Sequence, residues 1–156
     1  MSPKGWSRDK DGLLAALLLV DMVLERGETP EQLLAATQSE LGEFVFERRK
    51  VSGSKKGDAL EAAIAARFGG IQPGDTLTIA GRACRVDRVV SIDGTKVIFD
   101  DGSWFGVRAS GTEPVSRPYV EVPIRPGASA EEAEAGRARH RSTMEWLCQE
   151  LSRATA

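Results

Sequence analysis

Two hydrophobic periodicities divide this chain near its middle. Over residues 12–26 the leucines occupy nearly every face of the helix they predict, so that helix is expected to be buried on most sides. Gly27 stands where a left-handed residue would end it. Thr29-Pro30-Glu31-Gln32 then supplies an N-cap, a proline at the first helical position and a glutamine three residues after the cap. That is a capping-box pattern, and it opens a second helix running to about Leu41. Residues 43–51 alternate well enough for a strand or an extended connector, and Val51 to Gly57 has the composition of a loop. A third helix over 58–68 puts Leu60, Ile64 and Phe68 on one stripe, with Gly69 and Gly70 to stop it.

From residue 76 the period changes from helical to alternating. The runs TLTIA, RACRVDRVVSI, KVIFD and SWFGVRA are separated by Ala80-Gly81, Asp93-Gly94 and Asp101-Gly102, and Asp-Gly between alternating runs predicts hairpins. Tyr119 to Val122 alternates again. Ser129-Ala130-Glu131-Glu132 forms a second capping box, opening a helix expected to bury Met144, Leu147, Cys148 and Leu151. The predicted unit is α+β: a helix, four or five antiparallel strands and a closing helix, with one sheet face covered. The first two helices cannot build a core alone.

Composition narrows the function. At 156 residues and a formal charge of −2, the chain lacks the basic excess of a nucleic-acid module, so no nucleic-acid partner is expected. Arg48, Arg49, Lys50, Lys55 and Lys56 are expected to form a solvated connection. Cys84 and Cys148 have no metal or redox spacing and are expected as free thiols at apolar positions in a reducing compartment. The one histidine, His140, excludes a histidine-based metal site or triad within this chain, and its charged neighbours place it on the surface. Asp9, Asp11 and Asp21 interrupt what could pass for a signal peptide, and the apolar run is too short to span a bilayer. These features predict a cytoplasmic protein with no membrane partner.

The richest chemistry lies in Arg108-Ala109-Ser110-Gly111-Thr112-Glu113-Pro114-Val115-Ser116-Arg117. Two arginines, two hydroxyls and a glycine turn share one short loop between strand-like runs. Guanidinium offers a planar fork of permanent donors, hydroxyls can serve further oxygens, and a glycine can turn backbone N–H groups inward as an anion nest. The inventory suits a phosphate. Glu113, an acceptor only, is expected to hold the loop or an arginine rather than to face the anion.

This loop resembles the phosphate-binding loop R-P-S-G-T-E-P-x-x-R in the last domain of the α-D-phosphohexomutases (phosphoglucomutase and phosphomannomutase). Upstream, Asp9-Lys10-Asp11-Gly12 and the leucines after it resemble the K-D-G stretch that opens a buried helix late in the third domain of those enzymes. The order of elements also follows the family, so the resemblance covers nearly the whole chain. It implies a TBP-like C-terminal domain over 47–156, an antiparallel sheet with two helices. Residues 1–46 would be the last helices of the third domain, separated from the sheet they pack on.

The family reaction moves a phosphoryl group between O1 and O6 of a hexose through an enzyme phosphoserine, while the phosphate not being transferred is held in one place. By match to the motif, Arg108, Ser110 and Thr112 would contact that phosphate through side chains, Gly111 through its backbone and Arg117 through its guanidinium. The plainer alternative for both arginines is a strand-end salt bridge with Glu113 or Glu121. Lys10 would lie beside the sugar, its alternative being an exposed lysine ahead of a helix. Asp11 would cap the first helix. Two positions depart from the motif: Ala109 replaces a frequent proline, and Pro118 is expected to mark a strand edge or start.

The family's phosphoserine loop, its D-G-D-x-D-R magnesium loop and its G-E-x-S-G sugar loop are all missing from the sequence. The resemblance therefore implies a non-catalytic C-terminal portion with no cofactor of its own, magnesium belonging to another domain. Its implied partners are a hexose phosphate, or phosphate or sulfate, and the N-terminal mutase domains, or a second copy through helix 12–26. A free-standing phosphosugar-binding regulator and one half of a split mutase are the alternatives, and the sugar is unspecified.

Overall fold

Local signals set the helices. The protein is described by a computed structural model over residues 12–156, so Gly5, Trp6, Lys10 and Asp11 lie outside the described residues. Helix α1 spans Gly12–Arg26 and α2 spans Pro30–Leu41. Gly27 follows α1 with φ +67° and donates its N–H to the Val23 carbonyl at 2.9 Å. At the start of α2 the reciprocal capping bonds form: Gln32 N–H donates to Thr29 Oγ1 at 3.3 Å, and Thr29 N–H to Gln32 Oε1 at 2.8 Å.

The chain divides into two compact units, residues 1–42 and 43–156. In the first, α1 buries none of its residues, against the expectation drawn from its leucines. Leu13, Leu17, Leu18, Leu19, Val20 and Leu24 are all exposed. A single neighbouring helix shields one stripe at most, so a helix that is apolar on every face stays largely uncovered.

The second unit is α+β, with seven strands and two helices among its described residues. The strands are β1 (Glu43–Arg48), β2 (Val51–Ser52), β3 (Thr76–Ile79), β4 (Arg82–Val90), β5 (Thr95–Phe99), β6 (Trp104–Ala109) and β7 (Val115–Ile124), and the helices are α3 (Asp58–Phe68) and α4 (Ala130–Thr155). All strand pairs are antiparallel, in the order β1-β7-β6-β5-β4-β3, with β2 also on β7. One apolar cluster joins Leu60, Ile64 and Phe68 of α3 and Met144, Leu147 and Leu151 of α4 to the inward residues of the sheet. Phe105 sits at its middle, with ring centroids 5.7–5.9 Å from Phe68, Phe99 and Trp146.

Four further expectations are corrected, those for the size of the sheet, the unit boundary, Pro118 and His140. The sheet is larger than four or five strands, because β1, the strand alternative for residues 43–51, and β2, from a stretch with the composition of a loop, both join β7. The register Glu43↔Ile124 to Arg48↔Tyr119 keeps the whole of β1 in the second unit. A boundary after residue 46 would cut that strand, and the division falls after Gly42 instead.

Pro118 is neither at an edge nor at a strand start; it lies inside β7, opposite Val107 of β6. Its carbonyl accepts from Arg49 N–H at 3.1 Å. Because N–H and C=O of one strand residue point to the same side, its missing donor also faces the break between β1 and β2, not the β6 ladder.

His140 is buried, 4% exposed, on the α4 stripe that includes Gly136, Met144, Leu147 and Leu151. The signal available in sequence was its place four residues before Met144, which the charged neighbours masked.

Cys84 is buried and Cys148 half-buried, both as free thiols. Burial pushes each thiol up, outweighing the pull of Arg82 on the first and Arg49 on the second, so both stay protonated and weakly nucleophilic. Among the described residues no helix is long and apolar enough to cross a membrane.

Candidate functional site

The arginine-rich loop is the β6–β7 hairpin. Strand β6 ends at Ala109 and β7 begins at Val115, leaving 110–114 as the connection. In register, Arg108 stands directly opposite Arg117. Two like charges facing each other across a ladder are unfavourable unless anions compensate them. Each has one: Arg108 Nη1 lies 3.1 Å from Asp93 Oδ2, and Arg117 Nη2 lies 3.5 Å from Glu113 Oε2. The second pair is the role expected of Glu113. The first was invisible in sequence, because Asp93 belongs to the β4–β5 turn and reaches β6 only through the sheet.

Inside the connection, Ser110 N–H donates to the Val115 carbonyl at 2.9 Å and its Oγ accepts from Glu113 N–H at 3.4 Å. Ser110 is 2% exposed, so its hydroxyl is turned into the loop. Gly111 and Thr112 are exposed. Gly111 does not have the left-handed backbone expected of a nest glycine, and a Cβ built on it would meet nothing within 4 Å. Its contribution is an unobstructed backbone rather than a special dihedral. Among the described residues no acceptor is hydrogen-bonded to the N–H of Gly111 or Thr112.

The far limb of the loop is tied down from outside. Gly53 N–H donates to the Pro114 carbonyl at 3.0 Å, Ser116 Oγ to the Val51 carbonyl at 3.3 Å, and Ser54 N–H to the Thr155 carbonyl at 3.0 Å. The short β2 and the end of α4 thus hold the hairpin, and neither was marked for that by its composition.

Of the five loop residues singled out, the fold places all in one hairpin. It exposes Arg108, Gly111 and Thr112, half-buries Arg117 and buries Ser110. Lys10 lies outside the described residues. Arg108 borders two concavities, of about 400 and 240 Å³, which share Asp93, Gly94, Thr95 and Val107. The first is closed by Glu61, Ile64 and Ala65 of α3; the second opens toward Lys96, Trp104 and Tyr119 on the uncovered sheet face. Lys96 Nζ lies 3.5 Å from the Trp104 ring centre. A larger concavity than either, about 590 Å³, lies between the β3–β4 turn, the end of β7 and α4, and contains no residue of the loop.

Comparison with known proteins agrees with this architecture. The family model described as "Phosphoglucomutase/phosphomannomutase, C-terminal domain" matches residues 47–138. A probable phosphoglucosamine mutase from Methanothermobacter thermautotrophicus is 31% identical over 112 residues, covering 71% of this chain and 21% of that protein. A phosphoglucomutase/phosphomannomutase from Thermococcus kodakarensis is 57% identical over 35 residues, or 22% of this chain and 8% of that protein. This chain thus spans about a fifth of the first relative and less of the second. Among solved structures, the exocytosis-sensitive phosphoprotein pp63/parafusin (phosphoglucomutase) of Paramecium, in its open form, matches with a TM-score of 0.56 at 19% identity. The match covers 95% of this chain and 28% of that one, and supports the fold alone. With the family model matching more than half of its residues, the chain belongs to the phosphoglucomutase/phosphomannomutase C-terminal domain family.

Proposed function

We propose that the β6–β7 hairpin is an anion cradle that anchors the non-transferred phosphate of a hexose phosphate while another part of a cytoplasmic phosphohexomutase moves the second phosphoryl group. The observation that carries this reading is the pairing of Arg108 with Arg117 across the ladder, beside the N–H groups of Gly111 and Thr112. Two guanidinium groups and two backbone donors can surround a phosphate, each charge-assisted bond contributing roughly 1.5–3 kcal/mol. Thr112 adds an exposed hydroxyl. The buried Ser110 acts through the turn it stabilises.

On this reading the chain binds and positions but does not transfer. Phosphoryl transfer needs a nucleophile and compensation of the developing charge, and the sequence contains neither the family's phosphoserine loop nor its magnesium loop. Magnesium would be held by a domain outside these residues; among the described ones, no group of three or more acidic, histidine or cysteine side chains could hold a metal ion. The exposed leucines of α1 favour an arrangement in which other mutase domains, on the same or a complementing chain, cover that helix.

The test is a titration of the purified chain with inorganic phosphate, followed by backbone amide shifts. The shifts should centre on Ser110, Gly111 and Thr112, with millimolar affinity, and Arg108→Ala should abolish them while the domain stays folded. Shifts scattered over the surface, or a response that survives Arg108→Ala, would overturn the cradle. Conversion of glucose 1-phosphate to glucose 6-phosphate by this chain alone, with magnesium and the bisphosphate activator, would overturn the non-catalytic assignment.

A further inference from the structure

The cradle already holds two anions of its own. Asp93 sits on Arg108 and Glu113 on Arg117, so two carboxylates balance two guanidinium groups in the hairpin. The shorter of the two contacts, 3.1 Å against 3.5 Å, is delivered by a specific backbone device. Gly94 has φ +119°, and a Cβ on it would come within 2.4 Å of the Val107 carbonyl oxygen. Only a glycine lets the β4–β5 turn lie this close against β6, and that closeness brings the Asp93 carboxylate to Arg108. Asp93 itself has φ +56°, a left-handed conformation that aspartate and asparagine tolerate better than most residues.

A carboxylate in that place could orient the arginine for a ligand or compete with the ligand for it, and the geometry discriminates. The closest approach is through Nη1, and both side chains are more than half exposed, at 53% and 62%. An ion pair this exposed to solvent fixes a long side chain weakly. A full negative charge beside an incoming phosphate opposes binding at any orientation of the arginine. The charge effect is the larger one.

We propose that Asp93 is a built-in counter-anion: it occupies Arg108 while the cradle is empty, relieves the Arg108–Arg117 repulsion, and is displaced when a phosphate group arrives. It thereby lowers the affinity of the site and makes release of the phosphate easier. The proposal rests on the phosphate-binding reading above.

The experiment titrates inorganic phosphate, at fixed pH and ionic strength, into the full wild-type chain, Asp93→Asn and Asp87→Asn. Asparagine keeps the left-handed backbone and the side-chain shape while removing the charge. Asp87, exposed on β4 and outside both concavities, controls for net charge. Asp93→Asn should bind phosphate roughly three- to tenfold more tightly, and Asp87→Asn should stay within about twofold of wild type. Without phosphate, Asp93→Asn should have a slightly lower denaturation midpoint, since the facing arginines lose a counter-charge. A merely structural role would lower the midpoint without raising the affinity. Equal binding by wild type and Asp93→Asn, or weaker binding by the variant, overturns the counter-anion while leaving the cradle standing. If no protein of the set binds phosphate, the cradle reading itself fails and takes this inference with it.

Discussion

Replacing Gly53 by alanine adds one methyl group where the segment after β2 meets the end of α4. On this backbone the new Cβ would lie 2.5 Å from Thr155 Oγ1, 2.8 Å from Thr155 Cβ and 2.8 Å from the Thr155 carbonyl oxygen, where ordinary contact is 3.4–4 Å. The two segments must part by roughly half an ångström to one ångström. Rotating the hydroxyl away would sacrifice its 2.8 Å bond to the Leu151 carbonyl and would not move the main-chain oxygen. That oxygen accepts from both Ser54 N–H, at 3.0 Å, and Ser54 Oγ, at 3.2 Å, so separation strains these bonds as well. Overpacking of this kind costs about 1–3 kcal/mol, and that is the loss expected here. Urea denaturation followed by tryptophan fluorescence should show a lower midpoint with an unchanged slope. Adding Thr155→Ala should recover only part of the loss, because the carbonyl contact remains. Gly53→Ala should also weaken phosphate binding, since Gly53 N–H holds the Pro114 carbonyl. A stability within about 0.5 kcal/mol of wild type, the range of neutral surface changes, would show that the end of α4 yields freely and that it does not brace the loop. Complete recovery in the double variant would show that the side chain, not the main chain, is the obstacle.

Two further outcomes follow from the same structure. At Asp101, burial raises the carboxyl, but hydrogen bonds from the Ser103 hydroxyl and N–H and the charges of Arg139 and Arg82 outweigh it, so the net shift is downward. A depressed carboxylate stabilises the fold above its unfolded value near pH 3.9 and loses that contribution as pH falls through its folded value. Asp101→Asn should therefore be less stable than wild type at neutral pH, with the gap closing as denaturation curves are taken below about pH 4; a gap independent of pH would refute the charge account. For α1, light scattering should show concentration-dependent association of the full chain, reduced by Leu17→Glu with Leu24→Glu. A wild-type chain that stays monomeric at high concentration would show that its exposed leucines are insufficient to drive association.

Sequence alone determined what depends on neighbours within a few residues. Helices α2 and α4 open on the capping boxes read in the sequence, and α1 and α3 stop at the glycines that follow them, because a cap is a contact between residues a few positions apart and needs no tertiary partner. The hairpin turns and the cluster of arginines and hydroxyls at 108–117 were legible for the same reason: the donors come from one contiguous turn. Tertiary structure decided what depends on distant segments. It recruited Glu43–Arg48 and Val51–Ser52 to β7, more than sixty residues away, and so enlarged the sheet and found Pro118 a gap in which its missing N–H goes unneeded. It buried His140 despite its charged neighbours, and turned Ser110 inward. It also brought Asp93 to Arg108 through a turn that only a glycine permits. Each of these rests on strand register or close packing between segments far apart in the chain, and register is fixed by the assembled sheet and its covered face rather than by any one strand's composition.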